Sequence, residues 1–222
     1  VLGDCDPEPV YEGFRAAFEK LGGRKTADCT TMVVRSAEQV HEVTEKMDVA
    51  QGKLVLGFRA GTATPDEAVP ATRLMTALFG GTPNSKLFLN VREKLSLCYY
   101  CSASYNSMKG ILLVQSGVEA KNIERAREEI LRQLDEVKQG HFDESEVEAA
   151  KMSLCNSYRT LSDSLGGLEN WYLSQTFASH SQQPDEAAAQ INAVTRQEII
   201  DAANRVTLDT VYCLVGNGED AQ

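Results

Sequence analysis

The sequence predicts an α+β fold, a mainly antiparallel sheet with helices packed on one face. Two observations carry this. The segments Leu97–Tyr105 and Ile111–Val118 read as strands joined by the turn-rich Asn106–Gly110, which makes a hairpin. A strand-then-helices rhythm surrounds that hairpin, and Val211–Val215 closes the chain as a last strand. In such a fold the second face of the sheet is left free to line a cleft.

The elements follow in order. Asp6-Pro7-Glu8-Pro9 is helix-start chemistry, with a capping residue, proline at the first position and acid in the first turn. Val10, Phe14, Ala17, Phe18 and Leu21 then recur at helical spacing until Gly22-Gly23. The stretch 26–50 reads as a connector, with a short strand candidate at Thr31–Val34 and a polar segment at Ser36–Met47. Leu54–Phe58 is a strand and Pro65–Phe79 a helix ending at Gly80-Gly81. Ser85–Leu95 is a second helix capped by Ser85. After the hairpin, Lys121–Lys138 is a long amphipathic helix stopped by Gly140. Asp143 and Glu146 form a capping box for a helix to about Leu161, and Gly166-Gly167 breaks it before Leu168–Ser179. Thr195 and Glu198 open the last helix, to about Val206.

Length and composition bound the function. The 222 residues suffice for a sizeable core without disulfides or metal. Twenty-two Lys and Arg stand against 32 Asp and Glu, a net charge of −10. That field repels phosphate backbones and anionic lipid surfaces, so neither nucleic acid nor a membrane is an expected partner. No secretory leader and no apolar run near the about 18 residues of a membrane span is visible, and a cytoplasmic location is expected. Six cysteines are scattered and read as reduced thiols serving as small hydrophobes. Cys98-Tyr-Tyr-Cys101 is a lone CxxC, whose thiols a regular strand would point to opposite faces. The chain opens on Val1-Leu2-Gly3 without Met and reads as a piece of a longer polypeptide beginning within a strand. Val1–Asp6 echoes Leu214–Glu219, as it would if the full protein held two copies of one fold.

One constellation carries candidate chemistry. Leu87, Phe88, Val91 and Leu95 form an apolar stripe flanked by Arg92, and Tyr99 follows at the start of the next strand. A guanidinium and a phenol meeting across this corner can both donate to one carbonyl oxygen, which suits a developing oxyanion. The plainer reading is also open. Arg92 can lie along the stripe or pair with Glu93. Alternation through Leu97, Tyr99, Cys101, Ala103 and Tyr105 puts Tyr99 on the more apolar strand face, as a core tyrosine. The residues alone favour that plainer reading.

The spaced set Phe79-Gly80-Gly81-Thr82-Pro83-Asn84-Ser85-Lys86-Leu87-Phe88, Val91-Arg92-Glu93-Lys94-Leu95 and Tyr99 resembles the second homologous domain of the pitrilysin/insulinase family of zinc metallopeptidases. Gly140–Lys151 is similar to the family's following region, and residues 1–25 resemble the end of its first domain. The resemblance implies one half of a duplicated metallopeptidase-like fold. It divides the chain into a remnant of a preceding domain (1–25), a connector (26–50) and a C-terminal peptidase-like domain (51–222). It implies that Arg92 and Tyr99 reach across a cleft to a peptide held at a zinc ion. Ser96 departs from the family, which often has Gly there, and Tyr100 beside Tyr99 makes a second candidate for the same role.

The family's H-x-x-E-H zinc motif is missing. His41-Glu42-Val43-Thr44-Glu45 only echoes an H-E-x-x-H pattern, and His41, His141 and His180 read as surface residues, His41 on a polar helix. No metal is expected in this chain, and the zinc is expected in a preceding half or a partner subunit. The implied partners are a peptide or protein substrate and an N-terminal homologous domain or partner subunit, in a homo- or heterodimer. The alternative is a non-catalytic scaffold or partner subunit that has lost the zinc motif. A third reading, an unrelated α+β interaction domain, requires a sheet order foreign to the family.

Overall fold

The computed structural model describes residues 3–23, 25, 31–177 and 181–217. Val1-Leu2 and Gly218-Glu219 of the internal echo, Cys29, His180 and the predicted helix end at Ser179 lie outside them.

Asp6 accepts a hydrogen bond from the Glu8 N–H and caps helix α1, Pro7–Glu19. No residue of α1 is buried; Tyr11 and Phe14 are 62% and 53% exposed. The strand candidate Thr31–Val34 has no regular structure. Its neighbour Arg35 instead ties the segment to the body, donating to the Gly61 carbonyl at 3.1 Å and to the Asp66 carboxylate.

The polar segment expected as connector holds strand β1, His41–Met47. All seven residues are exposed, so β1 carries neither the alternation nor the apolar run that marks a strand. Backbone pairing at the sheet edge makes it: β1 runs parallel to the last strand, with Val43 opposite Tyr212. Side chains fasten it further, through Arg127 to Glu42 at 2.6 Å and Tyr212 Oη to Glu45 at 2.5 Å. His41 therefore stands on an exposed edge strand and not on a helix.

Strands β2 (Gly52–Arg59), β3 (Cys98–Asn106), β4 (Ile111–Val118) and β5 (Thr207–Gly216) complete a five-stranded sheet of order β1-β5-β2-β4-β3. Every pairing except β1–β5 is antiparallel, so the sheet is mixed but mainly antiparallel. Alternation sends Leu54, Leu56 and Phe58 of β2, Leu112 and Val114 of β4, and Val211 and Val215 of β5 to one buried face. Helices cover that face through Ile130, Leu134, Val137, Ile199 and Ala202. On the other face Lys53, Leu113 and Gln115 meet solvent. The expected α+β architecture, helices on one side, is present.

Helix α2 covers Val69–Thr76, and its last turn widens into a π-helical segment, Ala77–Gly81. The glycine pair does more than stop a helix. A Cβ on Gly80 would lie 2.6 Å from Leu87 Cδ1 and 2.7 Å from the Ala103 Cβ, so only glycine lets this turn seat against β3. The second predicted helix is a π-helix, Leu87–Lys94. Ser85 does not cap it: its Oγ is buried and has no hydrogen-bond partner among the described residues.

Helices α3 (Ile123–Lys138) and α4 (Glu144–Arg159) follow, the latter with the expected Asp143–Glu146 capping box formed in both directions. The break after α4 falls at Ser164, in extended backbone, and Gly166-Gly167 lie inside the first turn of α5, Leu165–Phe177. Helix α6, Pro184–Ala193, was not expected. Its buried side consists of Pro184, Ala187, Ala188 and Ile191, too small a set to stand out as a stripe. Helix α7, Arg196–Arg205, has the expected Thr195–Glu198 box.

Candidate functional site

The corner between the π-helix and β3 is built from its anchors outward. Leu87 and Val91 are fully buried and fix the π-helix on the core. Phe88 and Arg92 then stand one turn apart, and the Arg92 guanidinium carbon lies 4.6 Å from the Phe88 ring centroid, within cation–π range. Arg92 Nε donates to the Tyr99 carbonyl at 2.9 Å, and Nη1 lies 3.1 Å from Glu93 Oε1. The side chain is 38% exposed, so the plain expectation of a stem on apolar surface paired with Glu93 describes part of what it does.

Tyr99 does not take the place that simple alternation assigns. Cys98 stands opposite Val118 and Tyr100 opposite Gly117, so Tyr99 is the extra residue of a β-bulge. The bulge ejects it, and it is 62% exposed, not in the core. It stands beside Glu119, whose carboxyl is held below its ordinary range chiefly by the hydrogen bond and charge of Lys121, 2.8 Å away, with a smaller contribution from Tyr99. Tyr100 faces the other way and covers Gly117, where a Cβ would come within 2.6 Å of its ring. The two neighbouring tyrosines are thus separated by geometry: Tyr99 shares a shallow depression with Arg92, Ser96, Cys98, Glu119 and Asn122.

Ser96 makes the corner. Its φ is 50°, a left-handed conformation that favours glycine. We expect Ser96→Gly to leave the corner intact and change stability by less than about 1 kcal/mol, because relief of the left-handed cost is offset by the freer unfolded chain. Ser96→Val should cost about 1–2 kcal/mol, since branching at Cβ worsens that conformation. Chemical denaturation of the two variants checks both numbers.

Arg92 and Tyr99 are therefore brought together, through the Tyr99 backbone and a shared depression. Sequence reasoning missed Glu119 and Lys121, which lie beyond the hairpin and carry no spacing signal relative to Tyr99. A larger concavity, about 640 Å³, lies elsewhere, among Pro65, Arg73, Trp171, Gln182 and Arg205. Its Arg73 is engaged internally, with Tyr158 Oη at 3.1 Å and Ser107 Oγ at 3.3 Å.

The donor set does not suit a catalytic zinc. Among the described residues no group of three or more His, Cys, Asp or Glu is placed to hold a metal ion. His41 is exposed on the edge strand, and His141 Nδ1 faces Glu136, at 3.2 Å. Among the described residues no helix is long and apolar enough to cross a membrane.

Residues 1–154 match the family model described as the peptidase M16 inactive domain, and the chain belongs to that family. It is 35% identical over 221 residues to a Bacillus subtilis protein named "Probable inactive metalloprotease YmfF", covering 97% of this chain and 50% of that protein. An "Uncharacterized zinc protease" of Rickettsia bellii is 27% identical over 216 residues, covering 93% of this chain and 50% of that protein. Among solved structures, a conserved protein from Enterococcus faecalis V583 superposes with a TM-score of 0.85 at 32% identity, over 99% of this chain and 52% of that one. A peptidase M16 inactive domain from Pseudomonas fluorescens has the same fold, with a TM-score of 0.77 at 16% identity over 97% of this chain and 52% of its own. The chain spans about half the length of the curated relatives it matches. The resemblance to the zinc-free pitrilysin/insulinase domain holds, and the reading as an unrelated interaction domain falls.

Proposed function

We propose that this chain is the zinc-free half of a metallopeptidase-like protein and grips extended peptide for a zinc site carried by another half or subunit. The observation that carries the proposal is the bulge at Tyr99. It places a large aromatic side chain in solvent beside a guanidinium, where burial would have been the stable default. Arg92 spends Nε on the Tyr99 carbonyl and Nη1 on Glu93, and its remaining N–H groups are donors for a peptide carbonyl. The exposed Tyr99 hydroxyl is open to a substrate, while Lys121 pairs the neighbouring Glu119. The open sheet face and the edge strand β3 offer an extended peptide a surface.

In this reading the uncovered apolar side of α1 and the open sheet face meet the homologous half, in one polypeptide or in a dimer. Zinc chemistry belongs to that half. Neither nucleic acid nor membrane is a partner, because the net charge of −10 repels phosphate backbones and anionic lipids, and the protein is placed in the cytoplasm as part of the same proposal. The domain limits at 25 and 50 belong to the same proposal, with β1 contributed by the connector.

The expected result for the isolated chain, incubated with zinc and a mixed peptide library, is no cleavage by mass spectrometry. Zinc-dependent cleavage that co-purifies with the chain and is lost in an Arg92 variant would overturn the assignment of the metal to another half. A second reading, a scaffold that binds its partner half without any zinc chemistry, is favoured by the relative named as an inactive metalloprotease. In that case the intact protein binds peptide and never cleaves it.

A further inference from the structure

We infer that Cys98 and Cys101 form an oxidation-sensitive dithiol that a hydroperoxide closes into an intramolecular disulfide. In a regular strand, residues three apart face opposite ways. The bulge changes this. Cys98 stands opposite Val118 and Cys101 opposite Ser116, two positions that share one face of β4. Val118 and Ser116 are fully buried, so both thiols lie on the helix-covered side. They are one pleat repeat apart, about 6.8 Å between Cα atoms for an ideal strand. Disulfides span about 4.4–6.8 Å, so closure needs only a small shift at the bulge.

The two thiols differ in the way such a pair requires. Cys98 is part-buried and opens onto the depression beside Arg92, whereas Cys101 is 4% exposed. A hydrogen bond from the Cys101 thiol, and then the Arg92 charge, hold the Cys98 thiol below its ordinary value. Cys101 is correspondingly pushed up by that bond and by burial. The Cys98 thiolate attacks the outer oxygen of a hydroperoxide, giving a sulfenic acid and releasing hydroxide or alkoxide. The Cys101 sulfur then displaces water from the sulfenic sulfur and loses its proton. Two thiols give up two electrons, and the O–O bond accepts them. Cys155 and Cys213 are buried singly, Cys155 with its thiol on the Ala188 carbonyl and Asn192 Oδ1, and have no such partner among the described residues.

The chemistry stands apart from peptide binding, and its readout involves no peptide. Both cysteines fall in one tryptic peptide, residues 95–109. The folded protein is treated with hydrogen peroxide, blocked with N-ethylmaleimide, denatured and digested for mass spectrometry. Peptide 95–109 should lose two hydrogens about tenfold faster than Cys155 or Cys213 is oxidised, and dithiothreitol should reverse it. In Cys101→Ala, dimedone should label Cys98; in Cys98→Ser, Cys101 should stay reduced. Equal rates at all buried cysteines, or oxidation of Cys98 straight to sulfinic acid with no internal disulfide in the wild-type chain, would overturn the inference.

Discussion

Replacing Glu146 by Ala should destabilise the protein by about 3 kcal/mol and lower its melting temperature by roughly 5–10 °C. Glu146 does two jobs with one carboxylate. Oε2 accepts from the Asp143 N–H at 2.8 Å and completes the capping box of α4. Oε1 accepts from Lys86 Nζ at 3.0 Å. Lys86 enters the π-helix with its side chain only 10% exposed, against 26% for Glu146. Deleting the acid leaves an ammonium in the protein interior without its counter-charge, the costly way to break such a pair. Loss of half the capping box adds about 0.5–2 kcal/mol. Lys86→Met should cost much less, because an apolar stem fills the same space. The double variant Lys86→Met/Glu146→Ala should then recover most of the loss attributable to the unpaired charge. Calorimetry on the four proteins gives the coupling directly. This pair links the helix that carries Arg92 to the four-turn helix α4, so it also sets how rigidly the candidate site is held.

Arg92→Ala should weaken peptide binding by the intact protein about 10- to 100-fold while changing stability by no more than about 1 kcal/mol. The stability side follows from exposure. The Glu93 pair is at the surface, and the Phe88 stack and the Tyr99 carbonyl bond are partly solvated, so water replaces most of what is lost. The binding side follows from desolvation. A peptide carbonyl covered by the cleft would lose a charged donor and gain no substitute. Arg92→Lys should recover little, because a single ammonium cannot hold the Tyr99 carbonyl and a substrate in the fixed fork of a guanidinium.

The sequence made some of this legible and hid the rest for identifiable reasons. Capping boxes at Asp143 and Thr195 are local, reciprocal and written within four residues, and both are present. Buried alternation in Leu54, Leu56 and Phe58 marks a central strand directly. Strand β1 was hidden because an edge strand exposed along its whole length has no pattern for the core to impose. Helix α6 was hidden by its alanines, although Pro184-Asp185-Glu186 repeats the start chemistry that identified α1. The bulge at Tyr99 is the costliest omission. One inserted residue reverses the period-2 reading, turning a core tyrosine into an exposed one and two opposed thiols into neighbours. In the sequence only Ser96, where the resemblance often calls for Gly, marked the corner, and its φ of 50° proves left-handed.

The most direct test of the account is a paired titration on the intact protein with its homologous half present. Fluorescein-labelled unstructured peptides are followed by anisotropy with a chelator added to prevent cleavage, and the melting temperature is recorded for each variant. The account predicts that Arg92→Ala and Tyr99→Ala each weaken binding at least about tenfold with melting temperatures within a few degrees of wild type. Unchanged peptide affinity in both variants, accompanied by a clear fall in melting temperature, would show that the corner serves the fold alone and would contradict it.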